Sequence, residues 1–280
     1  MKRWAGILWL SALVLLCGCG GGGYQPPTGG TGGVTPPSSA GNVIGDWQFS
    51  VTSTVSGTPP LTVAGSISLS GSSVSGAVHV NGSNCFDPLS TVDLTGTLTG
   101  GNLSLATTSV AGQVATFTGS TTKNALTDPY SPGQFTGTYT INGGCASGDA
   151  GNVTGIKVPY VANILNGTFT ASGGEAFSMT GDAAQYANAS PEGSFGISGK
   201  ATFAGSCFSS GTITPGTFPA GSFIMGTSVA FKIGTDNGTV TFLGTEDMGS
   251  GQISGNYTVS GGTCDQSGTA VLVGTSPWDY

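Results

Sequence analysis

A chain of 280 residues with 37% hydrophobic residues is long enough for one large or two ordinary domains, yet only 7% of it is charged and 51 residues are glycine. Six Lys and Arg stand against 13 Asp and Glu, for a net charge of −7, and Arg3 is the only arginine. This balance excludes a nucleic-acid partner, whose affinity depends on phosphate-neutralising cations, and removes the forked donor that usually grips carboxylates and phosphates.

Lys2 and Arg3 precede an apolar run from Trp4 to Leu16, followed by Leu16-Cys17-Gly18-Cys19. A basic start, an apolar core short for a bilayer span and a small residue before a cleavage point read as an export signal. The Leu-Cys-Gly-Cys order resembles the lipobox of bacterial lipoproteins. That resemblance implies a signal peptide over 1–18, cleavage after Gly18 and diacylglycerol on the Cys19 sulfur, so that the membrane is a partner through lipid. With Gly20 rather than Asp after Cys19, it also implies the outer membrane or cell surface rather than retention at the inner membrane. Loss of Lys2 and Arg3 would leave four lysines against the 13 carboxylates.

Residues 19–40 follow as the acylated cysteine and a tether. Gly, Pro, Thr and Ser dominate, apolar periodicity is absent, and a Gly-rich chain of this length reaches about 25 Å.

From residue 41 onward the chain repeats itself. Gly82-Ser83-Asn84-Cys85-Phe86 returns as Gly205-Ser206-Cys207-Phe208, and the segment around Tyr139 returns around Tyr257, an offset of 118. Val158-Pro159-Tyr160 and Ser276-Pro277-Trp278 close the two copies. The copies are placed at 41–160 and 161–280.

Within each copy the apolar residues alternate with Thr and Ser, as in Leu94-Thr95-Gly96-Thr97-Leu98, and turn signals recur about every ten residues. About eight strands per copy are expected. A glycine on the apolar face recurs in Val74–Val78, Leu94–Leu98, Phe135–Tyr139, Leu165–Phe169, Ile197–Ala201 and Ile253–Tyr257, and suits a tightly curved sheet. The predicted fold is all-β, two tandem antiparallel up-and-down barrels, with β-sandwiches as the alternative. Gly45-Asp46-Trp47 resembles the Gly-x-Trp that opens the first strand of lipocalins and avidin-like barrels, which implies a small barrel with a ligand-binding interior. Sixteen strands as one membrane barrel fit less well, because the face opposite the core is Thr and Ser.

With Cys17 removed and Cys19 acylated, Cys85, Cys145, Cys207 and Cys264 allow three pairings. Repeat symmetry selects Cys85 with Cys145 and Cys207 with Cys264, enclosing 60 and 57 residue steps. An oxidising compartment permits both.

Candidate chemistry is sparse. His79 is the single histidine, alternates away from the apolar residues and is expected in solvent. Asp87, Asp93, Glu175, Glu192, Glu246 and Asp247 are available for a two-carboxylate glycosidase, but no pair stands out and none lies in an apolar cluster that would raise its pKa. Glu246-Asp247 and Asp149 lack the alternating oxygen ligands of a calcium loop. No catalytic residue, metal or cofactor is expected. The leading reading is a non-catalytic lipoprotein whose barrels take a small apolar or glycan ligand. Behind it stand a structural or adhesive surface protein, then a glycan-active enzyme.

Overall fold

The computed structural model describes residues 43–274 apart from 59, 84, 88, 123–132, 162, 174–175, 206–207 and 248–249. The expected signal, the tether, Cys19, Glu175, Cys207 and Ser276-Pro277-Trp278 lie outside the described residues.

The first copy is a closed barrel of β1 (Gly45–Ser53), β2 (Leu61–Ser70), β3 (Ser73–Asn81), β4 (Thr91–Thr99), β5 (Asn102–Thr107), β6 (Val114–Thr121), β7 (Gln134–Asn142) and β8 (Ala150–Lys157). Neighbours pair antiparallel in chain order, and β1 closes on β8. The second copy contains β9 (Asn163–Ala171), β10 (Phe177–Ala189), β11 (Phe195–Ala204), β12 (Ser210–Ile213), β13 (Phe223–Met225), β14 (Ser228–Thr235), β15 (Gly238–Asp247), β16 (Gln252–Ser260) and β17 (Gln266–Gly274). These nine segments fill eight positions. β12 and β13 both lie between β11 and β14, β12 opposite Gly199–Thr202 and β13 opposite Phe195–Gly196. They are two pieces of one strand, split by residues 214–222. Pairings of β10 with β11 and of β17 with β9 close the ring.

The alternation read from the sequence explains the strands. β4 buries Val92, Leu94 and Leu98 and exposes Asp93, Thr95 and Thr97. Gly96 takes an inward position between them, and a Cβ there would stand 1.9 Å from the Ser104 carbonyl oxygen on β5. No side chain fits that crossing, so the glycine permits the tight coiling of a small barrel.

Aromatic rings pack together inside both barrels. In the first barrel Trp47 stacks on Phe49 with ring centroids 5.6 Å apart, and Phe49 meets Phe117 and, edge-on, Phe135. In the second, Phe169, Phe177, Phe203, Phe208 and Tyr257 form one cluster with centroid separations of 4.5 Å (Phe169–Phe177), 5.0 Å (Phe169–Tyr257) and 4.7 Å (Phe203–Phe208). Burying such rings contributes both area and preferred ring geometry.

The outward residues form rows across the strands. Asn81, Thr62, Ser50, Thr154, Thr136, Ser120 and Asn102 are successive register partners running from β3 through β2, β1, β8, β7 and β6 to β5. Hydroxyl and amide pairs of this kind stabilise a sheet by about 0.2–1 kcal/mol each and wet the surface without charge. Apolar inside and hydroxylated outside is the reverse of a membrane-spanning barrel.

Cys85 is bonded to Cys145 with Cα atoms 5.8 Å apart, joining the β3–β4 and β7–β8 connections at one end of the first barrel. Cys264 is disulfide-bonded too, at the matching end of the second barrel.

Candidate functional site

Among the described residues the carboxylates singled out in the sequence do not converge on one cleft, and Glu246 and Asp247 are near each other only as neighbours along β15. Asp87 is exposed in a turn, where the Ser90 hydroxyl (2.7 Å) and the Leu89 N–H (3.0 Å) hold its carboxyl below the usual range. Asp93 and Glu192 are exposed on β4 and on the β10–β11 turn. Asp149 accepts from Ser53 Oγ and from the Tyr139 hydroxyl at 2.9 Å. Burial pushes the Tyr139 phenol up, and the neighbouring Asp149 charge adds to that. Among the described residues no three His, Cys, Asp or Glu gather into a metal cluster.

Two expectations need correction. His79 is not simply solvated: it is half-buried on the outer face of β3, opposite Ala64 of β2. The expectation that no carboxylate has its pKa raised also fails. Glu246 shares the inward row of β15 with Val240, Phe242 and Gly244, and burial, with Asp247 beside it, pushes its carboxyl up to about 7. Asp46 is 8% exposed and is likewise raised by burial, against the opposing effects of Ser66, Gln185 and Lys157. Alternation explains Glu246. No sequence signal explains Asp46, because the cover over it comes from the other copy.

That cover is the seam between the barrels. β1 turns Trp47, Phe49 and Val51 inward, so Asp46, Gln48 and Ser50 point out. The end of β10 and the turn after it lie over Asp46 and Gln48. Gln48 donates through Nε2 to the Gly193 carbonyl and accepts through Oε1 from the Gly226 N–H. Gln185 donates to Asp46 at 2.6 Å and accepts from the Val161 N–H at 2.8 Å. The Ser66 hydroxyl stands between Asp46 and the Ala187 carbonyl, within donating reach of both. The Ser66 hydroxyl has one proton for these two acceptors. Ala64 of β2, with Val158 and Val161, joins the apolar core of the second barrel.

Beside the seam runs a groove of about 720 Å³. Its floor is the outer face of the first barrel: Gln48, Ser50, Thr62, Gln134, Thr136, Thr154 and Ile156. Its wall comes from the second barrel, as Phe218, Met225 and Gly226. Phe218 is 50% exposed and packs edge-on against Phe223 at 5.6 Å. The segment that carries it, residues 214–222, is closed on itself. The Ser222 N–H donates to Thr214 O (2.9 Å), the Gly216 N–H to Ser222 O (3.2 Å) and the Phe218 N–H to the buried Ser194 Oγ (3.1 Å). A Cβ on Gly221 would lie 2.6 Å from the Gly216 Cα, so the neck of this loop accepts only glycine. The first copy has no counterpart, since β4 runs unbroken where β12 and β13 are parted.

A smaller recess of about 380 Å³ lies at the Cys85–Cys145 end of the first barrel, with Asp149 as its single charged lining residue. The larger groove has none among the described residues, and neither shows a pair of carboxylates among them.

No protein-family model matches the chain, and no curated protein matches it. Among solved structures, a porin-like protein from Bacteroides uniformis is similar at 13% identity over 84% of this chain and 97% of that one, with a TM-score of 0.16. So loose a superposition carries no argument about fold or function.

Proposed function

We propose that this chain is a lipid-anchored, non-catalytic binding protein of the outer membrane or cell surface, and that its ligand sits between the two barrels rather than inside either. The observation that carries the reading is the groove, whose floor belongs to one repeat and whose wall belongs to the other. Concave sites with a few convergent polar groups and one exposed ring are where small ligands bind. The anchor rests on the lipobox resemblance of Leu16-Cys17-Gly18-Cys19. Its two sulfur-linked acyl chains, at about 0.8 kcal/mol per buried methylene, suffice for lasting attachment.

A purely structural role is the second reading, favoured by the aromatic packing within both barrels.

Membrane fractionation combined with native mass spectrometry of the exported protein tests the proposal. Cys19→Ser is expected to move the chain from the membrane to the soluble fraction. A co-purified small-molecule adduct is expected on the parent and absent from Phe218→Ala. Retention of the Cys19→Ser protein in the membrane would overturn the anchor, and an adduct indifferent to Phe218 would overturn the site.

A further inference from the structure

We infer that the groove takes an uncharged glycan, laid across the strands of the first barrel with one sugar face against Phe218; the inference rests on the groove being the binding site. The floor is a row rather than a scatter. Thr62, Ser50, Thr154 and Thr136 are direct register partners on β2, β1, β8 and β7. Neighbouring strands lie about 4.8 Å apart, so the four hydroxyls span roughly 14 Å perpendicular to the strands, the length of a few sugar rings.

The chemistry of that row selects the ligand class. Each Ser or Thr hydroxyl both donates and accepts, and so does the Gln134 carboxamide, which matches a ligand whose own groups are hydroxyls. Among the described residues that line the groove, an anionic ligand finds no lysine or arginine and a cation finds no carboxylate. An apolar ligand would cover Ile156, Phe218 and Met225, but it would also strip water from the hydroxyl row, at about 1–3 kcal/mol for each group left buried and unpaired. Phe218 supplies the flat apolar surface that the C–H face of a sugar ring covers. Hydroxyl rows occur elsewhere on this barrel. The groove differs in having a wall, built by Phe218 of the 214–222 insertion together with Met225 and Gly226.

Isothermal titration of the exported full-length protein decides this, with neutral hexasaccharides (β-1,4-glucan, β-1,3-glucan, β-1,4-mannan), acidic oligogalacturonate and dodecanol as the probes. Binding of at least one neutral hexasaccharide is expected, weakened about tenfold or more by Phe218→Ala and severalfold by Thr154→Val with Thr136→Val. Leu89→Ala, which removes an exposed apolar side chain from the β3–β4 connection, outside the groove lining, should leave it unchanged. All substituted residues are solvent-exposed, and unchanged far-ultraviolet circular dichroism verifies folding. Phe218-dependent binding of oligogalacturonate or dodecanol without the neutral sugars would overturn the glycan class and leave the groove reading standing. Sugar binding untouched by all three groove substitutions, or no binding of any probe, would overturn both.

Discussion

Glu246 occupies the end of an inward-facing row whose other members are Val240, Phe242 and Gly244, and the matching residue of the first repeat is Thr121. The backbones agree, the N–H of Thr121 donating to Gly101 O and that of Glu246 to Thr227 O. The side chains differ, because Thr121 also donates its hydroxyl to Gly101 O (3.2 Å), whereas Glu246 faces Ile253 across the pair with β16. With its folded-state pKa near 7 against an ordinary 4.5, the folded protein holds a proton that the unfolded chain releases. Stability therefore rises as pH falls through 7 and levels off near the unfolded value. We expect Glu246→Gln to stabilise the protein by about 1–2 kcal/mol at pH 8, less than the full shift because the rim is partly wet, and to have no effect near pH 4.5. Thermal melts of both proteins across that range test this, and equal gains at both ends would refute it. Alternation from Val240 already pointed Glu246 inward. Its sequence neighbours Thr245 and Asp247 concealed this, since the residues that desolvate it come from other strands.

Strand positions were legible because barrels of this kind repeat one local rule, apolar in and hydroxyl out, with glycine where neighbouring strands crowd. Gly96 and Gly100 separate the two uses of that residue. A methyl at Gly96 collides with a backbone oxygen, whereas Gly100 sits in a turn at φ 58° with nothing within 4 Å of a Cβ. Gly96→Ala is expected to cost about 3 kcal/mol or more and Gly100→Ala about 1 kcal/mol, measured by urea denaturation. Equal costs would mean that sheet coiling does not depend on the bare position. The split of one strand into β12 and β13 was not legible. Thr214-Pro215-Gly216-Thr217-Phe218-Pro219 looks like any turn-rich connection, and its length is masked by compensation elsewhere. Phe117 and Phe242 are matched partners of Tyr139 and Tyr257, yet the first pair lies 125 apart and the second 118, because the β6–β7 connection is longer than that between β15 and β16. Repeat offsets read only at the ends hide an insertion balanced in this way.

For the molecule as a whole, two carboxamides, those of Gln48 and Gln185, tie the second barrel to the first. Gln48 satisfies one carbonyl and one N–H of the second barrel at once. Gln48→Ala would leave both without that partner, at about 1–3 kcal/mol. We expect a lower melting temperature and a larger maximum dimension in small-angle scattering, with the strand signal in circular dichroism intact. An unchanged dimension would show that the apolar contacts of Ala64, Val158 and Val161 hold the barrels alone. The sequence predicted two barrels but left their mutual face unread, since Asp46 and Gln48 carry the ordinary outward phase of β1 and nothing in one copy's pattern announces the other's cover.

β1 is at once the strand reached first from the N-terminal side and the floor of the groove. It is paired along Gly45–Val51 with β2 and along Trp47–Ser53 with β8. A pull on the chain ahead of Gly45 therefore acts along the strand, against two ladders that must slide together rather than unzip bond by bond. The load path between such a pull and a ligand of the proposed kind runs through β1 and its immediate neighbours, with Phe218 bearing on it from the second barrel. Neither the disulfide at the far end of the barrel nor the bulk of the second repeat lies on that path. In mechanical terms β1 is loaded in shear.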